Sequence, residues 1–266
     1  MGFSESMKKA SLVGAFFVSV LWFSPAMAFC PSPGKLPQLP VQKVVDGDTV
    51  RLVDGRSIRL IGLNAPELGR KGRSDEPFAE AARKRLAQLV AANDGRVGLR
   101  PGRQAKDRYG RTLAHAYDAG GRNIEAVLLA EGLGFAVAVE PNVALAECQR
   151  AAERDAREAR RGLWRRAPWL EAAALEQSGF ALIRGRVAKV ERNRGGIWLE
   201  MEGPLVLRVE PRLIASFDEK VLMALAGRDV EVRGWVMDRS RSGEARSGQA
   251  RWLLPLTSPA MLEVVR

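Results

Sequence analysis

The sequence predicts a mainly β protein with helices (α+β), in which a five-stranded OB-fold barrel precedes a second, smaller OB-like β-barrel domain. Short segments that alternate apolar and polar residues indicate strands. In the first half of the chain, three such segments precede a helix and two follow it, which is the element order of an OB barrel. The same order of three strands, a helix and two strands returns after residue 179.

The first barrel is predicted within residues 41–166. Asp54-Gly55 is a strong hairpin signal, and Pro77 can open a helix that runs to Ala92, since a missing N–H is tolerated at the first helical position. The strands are expected at residues 42–45, 49–53, 57–61, 96–100 and 112–118.

Two further helices are expected to complete this domain. Asn123 can cap a helix that ends at Gly132, and Asn142 can cap a helix over residues 143–161. Apolar residues recur at helical spacing along the second of these helices. Cys148 lies on that apolar face.

Residues 167–179 are predicted to be a linker with a short helix, and residues 180–266 to form the second domain. No role is predicted for this domain. Its strands are expected at residues 180–190, 197–201, 205–209, 230–237 and 251–255, with a helix at 219–226.

The N-terminus is typical of an export signal. Lys8 and Lys9 precede an uncharged apolar run over residues 12–23, and Ala26-Met27-Ala28 forms an A-x-A cleavage site. A membrane anchor is the alternative, but the run is shorter than the roughly 20 residues that a membrane span needs. We therefore predict a signal peptide over residues 1–28, no membrane span after its cleavage, and a periplasmic or secreted protein.

The chain contains two cysteines, Cys30 and Cys148. Export implies an oxidising compartment, where two thiols can form a disulfide. Residues 29–40 are Pro-rich and predicted to be extended, so a disulfide at Cys30 would hold this N-terminal segment. The alternative is two unpaired thiols, one buried in the helix and one at a mobile end.

The charge balance favours an anionic partner. The formal net charge is +11 and the sequence pI is about 10.3, which suits nucleic acid, lipid headgroups or acidic polymers without choosing among them. His115 is the single histidine and lies in a predicted strand. A structural His115 makes histidine-metal nuclease sites and Ser-His-Asp hydrolysis poor alternatives.

Three segments carry possible chemistry. The first is Asp46-Gly47-Asp48-Thr49. Two carboxylates that flank a glycine in a tight turn can present hard oxygen ligands to a divalent cation. Taken alone, an Asp-Gly pair more often marks an ordinary turn.

The second segment runs from Arg59 to Glu67 and reads R-L-I-G-L-N-A-P-E. An arginine can bind a phosphate with two parallel hydrogen bonds. A carboxylate held just after the strand can activate a water molecule. Taken alone, a surface arginine and a surface glutamate are the simpler explanation.

The third segment is Asp107-Arg108-Tyr109-Gly110-Arg111. The glycine allows a sharp turn, Arg108 and Tyr109 offer hydrogen-bond donors to a phosphate, and Arg111 enters the next strand. Taken alone, a charged turn is the simpler explanation.

Together and in this order, the three segments resemble the signature of the staphylococcal nuclease (thermonuclease) family, with its DGDT turn, R-L-x-G-x-x-A-P-E stretch and D-[KR]-Y-G-R turn. The resemblance covers about residues 41–166 and does not reach the second domain. It implies a calcium-dependent nuclease that makes endonucleolytic cuts in DNA and RNA and leaves a 3′-phosphate.

The resemblance also implies a calcium site. Asp48 matches the family's ligand carboxylate, Ala65 matches the residue whose backbone carbonyl binds the metal, and Asp46 matches a nearby acid. The family has a second acidic ligand where this chain has Asn64. An amide oxygen can bind calcium but brings no charge, so weaker metal affinity is expected.

The same resemblance implies the catalytic roles. Glu67 matches the general base that activates the attacking water, here expected to be metal-bound. Arg59 and Arg111 match the arginines that bind the phosphate and stabilise the developing charge, and Arg108 and Tyr109 match contacts to a neighbouring phosphate. Nucleic acid, as DNA or RNA, is the expected partner; no protein partner is inferred, and a monomer is expected.

A second function is also compatible with the sequence. The chain could be a catalytically weak or inactive nucleic-acid-binding OB-fold protein. Asn64 favours this alternative, as does the run over residues 135–139, where the best-known family members carry base-stacking tyrosines. The complete set of Glu67, Arg59 and Arg111 argues for the nuclease.

Overall fold

The computed structural model describes residues 29–69, 72–166, 168–240 and 249–265. The predicted signal peptide, residues 1–28, lies outside the described residues. Within these ranges, no helix combines the length and apolar character that a membrane crossing requires.

The first half of the chain alternates short strands with three helices among the described residues. In chain order its elements are β1 (Gln38–Val44), β2 (Thr49–Leu52), β3 (Ser57–Leu60), β4 (Leu63–Asn64), α1 (Ala79–Ala91), β5 (Arg96–Lys106), β6 (Thr112–Tyr117), α2 (Ile124–Ala130), β7 (Phe135–Ala136) and α3 (Ala146–Glu158).

Five of these strands close into a barrel in the order β1-β2-β3-β6-β5. The β3–β6 pairing is parallel, and β1 pairs with β5 to close the ring. Alternation along β3 fills the barrel, since Ile58 and Leu60 are buried while Arg59 lies between them on the outer face. The predicted five-stranded OB barrel is thereby confirmed.

The largest differences from the predicted elements come from long-range contacts. Asn142 does not cap α3, which begins only at Ala146; its side chain instead bonds both the N–H and the carbonyl of Gln104. β5 extends to Lys106, which pairs with Thr112 on β6. The Asn123 cap was predicted correctly, because its side chain accepts the N–H of Ala126 at 2.9 Å.

The second half of the chain is rich in β structure. In chain order its elements are β8 (Trp169–Glu171), β9 (Gly179–Asn193), β10 (Gly196–Met201), β11 (Leu205–Val209), α4 (Glu219–Met223), β12 (Asp229–Asp238), β13 (Trp252–Pro255) and β14 (Leu262–Val264).

A second ring of five strands confirms the predicted OB-like domain. β9, β10, β11, β13 and β12 follow one another, and β12 pairs again with β9. This cyclic order repeats that of the first barrel, including one parallel pair, β11–β13. Residues 167–179, predicted as a linker, include β8, which pairs in parallel with β9.

The second barrel packs on α3 and β7 through charged as well as apolar contacts. Arg233 on β12 forms a buried ion pair with Glu153 on α3 at 2.6 Å. The Glu153 carboxylate also accepts the Ala136 N–H at 2.7 Å, and Arg233 donates to the Ala136 carbonyl at 3.1 Å. Val137 lies within the apolar core of the second barrel. The two barrels therefore share one interface around residues 135–138.

A disulfide joins Cys30 to Cys148 on α3. This confirms the bridge and excludes the alternative of two free thiols. Because the sulfur atoms link residues 118 positions apart in sequence, the bond restricts a large loop of the unfolded chain.

Reduction of this disulfide is expected to lower the free energy of unfolding by about 4–5 kcal/mol, from the loop-closure entropy of a ring this long. The measurement is urea unfolding followed by circular dichroism, with and without reductant. The double variant Cys30→Ala, Cys148→Ala is the control, since reductant cannot change its unfolding midpoint. Equal midpoints for oxidised and fully reduced wild-type protein would contradict this prediction.

Candidate active site

The Asp-Gly-Asp turn before β2 is packed against the segment that follows β3. A Cβ atom on Gly47 would lie 2.5 Å from the Ala65 Cβ and 2.7 Å from the Ala82 Cβ, so only glycine fits there. The Asp48 carboxylate is buried, and it accepts the Ala65 N–H at 2.9 Å and the Thr49 hydroxyl at 3.0 Å. The Asp46–Thr49 segment and the Arg59–Glu67 segment therefore contact each other at Asp48.

The Arg59 side chain extends from the outer face of β3 to the Asp48 carboxylate. Its guanidinium forms an ion pair with the Asp48 carboxylate and donates to Asn64 Oδ1 at 3.2 Å. Its side chain is only 13% exposed. The planar guanidinium therefore bridges the Asp48 carboxylate and the Asn64 amide.

The electrostatics of Arg59 identify the other charges near it. Burial and the neighbouring Arg111 cation lower the pKa of Arg59 to about 10, against the opposing effects of Asp46, Glu67 and Asp107. Both predicted arginines and the predicted base are thus close enough to interact electrostatically. Arg59 keeps its charge at neutral pH, because even the lowered pKa lies well above 7.

Arg111 is positioned by a tight turn. Gly110 adopts a φ of 80°, which favours glycine. The Asp107 carboxylate accepts the Arg111 backbone N–H at 2.9 Å and its Nε–H at 2.7 Å. Burial raises the pKa of Asp107, but the hydrogen bonds from Arg111 and from the Tyr109 N–H outweigh it and hold that pKa below its usual value.

The strand register puts both arginines on one face. Ile58 pairs with Thr112, and Arg59 with Leu113, in the parallel β3–β6 ladder. Arg111 precedes Thr112, so it lies on the same side of the sheet as Leu113 and Arg59. The two cations therefore flank one surface beside Asp48.

Glu67 is exposed on a loop that its own backbone stabilises. Its N–H donates to the Glu76 carboxylate at 2.9 Å, and its carbonyl accepts the Glu76 N–H at 3.0 Å. The Glu67 side chain stays at the surface, where a substrate can reach it. Glu76 and Asp107 were not predicted as site residues, although Asp107 stood in the third segment.

Arg108 and Tyr109 lie at the tip of the same turn as Arg111. Tyr109 is 68% exposed, and its hydroxyl accepts a hydrogen bond from Arg108 Nη2 at 2.6 Å. The Arg108 guanidinium also lies 4.8 Å from the centre of the Tyr109 ring. This pair presents hydrogen-bond donors to solvent next to Arg111.

The donors around Asp48 suit a hard cation. The predicted ligands are all oxygen atoms, the donor type that calcium prefers: the Asp48 and Asp46 carboxylates, the Asn64 amide and the Ala65 carbonyl. Among the described residues, no group of three or more acidic, histidine or cysteine side chains is arranged to hold a metal. The donor set is therefore compatible with calcium but relies on neutral oxygens.

The segment over residues 135–139 is largely covered by other parts of the chain. Phe135 packs edge-on against Trp164 and stacks on Phe180, with ring centres 5.6 Å apart in both cases. Ala136 and Ala138 are buried. The Phe135 ring therefore packs in the interface between the two barrels.

Comparison with known proteins agrees with this geometry. A family model described as "Staphylococcal nuclease homologue" matches residues 57–166. Thermonuclease of Staphylococcus intermedius is 32% identical over 129 residues, which are 47% of this chain and 75% of that protein. The chain belongs to the staphylococcal nuclease family. Membership of this family makes it a nuclease, a hydrolase of nucleic acid.

Two further relatives of this nuclease are bacterial endonucleases. Endonuclease YncB of Bacillus subtilis (strain 168) is 29% identical over 156 residues, 57% of this chain and 67% of YncB. The SPbeta prophage-derived endonuclease YokF of the same strain is 30% identical over 135 residues, 49% of this chain and only 45% of YokF. The family match ends at residue 166, before the second barrel begins.

Proposed function

We propose that this protein is an exported, calcium-dependent endonuclease that hydrolyses phosphodiester bonds of DNA, RNA or both. The observation that carries the proposal is the Asp48–Arg59 ion pair on the side of the sheet that Arg59 shares with Arg111, with Glu67 close enough to affect the pKa of Arg59. A phosphodiester carries negative charge, and cleavage adds more charge to its oxygens. Two fixed guanidinium groups and one base match that requirement.

Each residue of the site is proposed to have its own role in catalysis. Glu67 accepts the proton of the attacking water, which its exposed position allows. Arg59 and Arg111 bind the oxygens of the scissile phosphate and stabilise the charge that builds there. Asp107 fixes the Arg111 guanidinium through its Nε–H, which reduces the ordering that substrate binding must impose.

The surface pair Arg108 and Tyr109 is proposed to bind a neighbouring phosphate. Both side chains carry donors, and their mutual hydrogen bond holds them together. Contacts to phosphates position a nucleic acid without reading its sequence. We therefore expect broad sequence tolerance.

Calcium is proposed to be held by Asp48, Asn64 and the Ala65 carbonyl, with Asp46 nearby. The Arg59 guanidinium contacts both the Asp48 and the Asn64 side chains in this structure, so it would release them on calcium binding and turn to the phosphate. When bound, the ion would supply positive charge beside the scissile phosphate. The Asp48 carboxylate is held by the Ala65 N–H and the Thr49 hydroxyl, so its orientation does not depend on the ion.

Export is proposed from the N-terminal sequence together with the disulfide. The signal-like segment ends at Ala28, and Cys30 then begins the covalently anchored part of the chain. Structural disulfides persist in oxidising compartments such as the periplasm or the cell exterior.

The test of this function is digestion of plasmid DNA and of RNA by the mature protein, with calcium and then with excess chelator. We expect cleavage with calcium and at least a hundredfold slower cleavage with chelator. Equal digestion under both conditions would reject the calcium dependence, and no digestion under either would reject the enzyme.

Replacing Asn64 with aspartate is expected to tighten calcium binding. The substitution keeps the size of the side chain and adds a carboxylate to a site that relies on neutral oxygens. We expect the calcium concentration for half-maximal cleavage to fall about tenfold or more. Asn93→Asp, at a distant turn, is the control. If Asn64→Asp left the calcium dependence unchanged, the side chain at position 64 would not be a ligand.

A binding protein without catalysis is the second candidate, and Asn64 is the observation that favours it. Calorimetry separates the two functions. Calcium binding by the mature protein with a nucleotide present supports the enzyme. No binding at millimolar calcium, together with retained affinity for DNA, would favour the binding protein.

A further inference from the structure

A row of basic residues crosses the outer face of the first barrel. Lys43 on β1 lies opposite Arg51 on β2, and Arg51 lies opposite Ser57 on β3. The pairing of Ile58 with Thr112 places Ser57 beside Arg111. Residues opposite each other on paired strands face the same side of a sheet, so the three cations form one row.

This row leads away from the candidate active site. Neighbouring strands lie about 4.8 Å apart. Along the curved outer surface of the closed barrel, two strand spacings from Arg111 reach Arg51 at roughly 10 Å, and three reach Lys43 at roughly 15 Å. Arg59 projects from the same face, because it pairs with Thr49 two residues before Arg51.

A groove lies at the end of this row that is farther from Arg111. Gln42, Lys43, Val45 and Arg51 line it, and its volume is about 500 Å³. Lys43 and Arg51 are both exposed. The groove is therefore open to a ligand that arrives from solvent.

Among the described residues, the two cations at the groove have no protein counter-ion. Neither Lys43 nor Arg51 has an ion-pair partner within the part of the chain that the structure describes. Other arginines of the first domain pair with carboxylates, among them Arg56, Arg83 and Arg122.

Like charges directly opposite on paired strands destabilise a sheet. An anion bound between Lys43 and Arg51 would remove that repulsion. The groove continues the curved outer surface of the barrel that also carries the arginines proposed to bind the scissile phosphate, so the matching anion is the next part of the same polymer.

We propose that Lys43 and Arg51 bind backbone phosphates of the nucleic acid strand, about one to three nucleotides from the bond that is cut. This proposal rests on the proposed nuclease function and extends it to the form of the substrate. The contacts are to phosphates, so they add affinity for a polymer and no sequence preference.

The test compares the double variant Lys43→Gln, Arg51→Gln with the double variant Lys35→Gln, Arg96→Gln. Both variants lose one lysine and one arginine charge. Both control residues are exposed: Lys35 precedes β1 and Arg96 begins β5. The antiparallel β5–β6 pairing puts Arg96 at the opposite end of these strands from Arg111. Thermal unfolding by circular dichroism checks that each variant is folded, and Lys43→Arg, Arg51→Lys serves as a second variant that keeps both charges.

The first readout is the salt dependence of binding to single-stranded DNA of about 20 nucleotides, measured with calcium in the Glu67→Gln background. For single strands, each lost phosphate contact reduces the slope of log affinity against log salt by about 0.7. We expect a reduction of about 1.4 for the groove variant, a smaller change for the control, and recovery in the charge-keeping variant.

The second readout is steady-state cleavage with Glu67 intact. We expect the KM for the same DNA to rise about tenfold in the groove variant. With a substrate that contains a single phosphodiester bond, too short to reach Lys43, the groove variant and the control should behave alike.

The results separate this proposal from the function on which it rests. A salt slope and KM equal to those of the control would overturn the role of Lys43 and Arg51, even if cleavage is normal. A wild-type protein that cleaves neither substrate would overturn the nuclease mechanism, while the salt slope would still decide whether the groove binds DNA.

Discussion

Replacing Glu67 with glutamine is expected to lower the turnover of DNA cleavage by about 10²–10⁴-fold, the usual contribution of a general base. Glutamine keeps the size and hydrogen-bonding shape of the side chain but cannot accept the proton of a water molecule at neutral pH. The Glu67 N–H bond to Glu76 belongs to the backbone, so the loop should keep its conformation.

The measurement is kcat at saturating DNA with calcium, together with the dissociation constant for single-stranded DNA. Binding should change less than about threefold, because the effect of the base lies in the transition state. Glu80→Gln is the matched control, because Glu80 is a partly buried glutamate on α1 that pairs with Arg83. A Glu67→Gln variant as fast as the Glu80→Gln control would remove Glu67 from the mechanism.

Replacing Arg59 with lysine is expected to lower kcat by about 10²–10³-fold, comparable with the loss of one preorganised charge stabiliser. Lysine keeps the charge but has no planar guanidinium, so it cannot present two parallel donors to a phosphate. The same reasoning applies to Arg111→Lys, whose Nε–H bond to Asp107 would be lost.

Arg56→Lys is the control for both substitutions. Arg56 pairs with Asp54 in the exposed hairpin between β2 and β3, where lysine can replace it at little cost. We expect Arg56→Lys to cleave at the wild-type rate and all variants to unfold near the wild-type temperature. If Arg59→Lys retained full turnover, a bidentate contact at this position would not be part of the mechanism.

The local features of the fold could be predicted from the sequence. Alternating residues in β3 predicted a buried Ile58 and Leu60, and Asp54-Gly55 predicted a hairpin in which Gly55 has a φ of 88°. Asn123 was predicted as a helix cap and accepts the expected N–H. These features depend on a few neighbouring residues, which a single sequence contains.

The features that could not be predicted depend on residues far apart in the chain. Asn142 looked like a helix cap but bonds Gln104, because the second half of β5 offers it unpaired backbone groups. The burial of Ala136 depends on Arg233, 97 positions later in sequence. No local sequence pattern predicts contacts between residues that lie so far apart in the chain.

The candidate site also combines residues that the sequence points to with long-range contacts that it does not predict. Which side chains carry the chemistry stays a prediction from the three segments. The fold packs the first two segments together at Asp48 and puts Arg59 and Arg111 on the same side of the sheet. The sequence did not predict that Arg59 would bridge Asp48 and Asn64, or that Glu76 would stabilise the loop that carries Glu67. Those contacts follow from the closure of the barrel.

The central claim is that Asp48, Arg59, Glu67 and Arg111 act on a single phosphate. Its most direct test is a crystal structure of the Glu67→Gln variant with calcium and a short single-stranded DNA. We expect one phosphate within hydrogen-bonding distance of both the Arg59 and Arg111 guanidinium groups, beside a calcium ion bound by Asp48. A phosphate that contacts neither arginine, or a calcium ion bound away from Asp48, would contradict the mechanism.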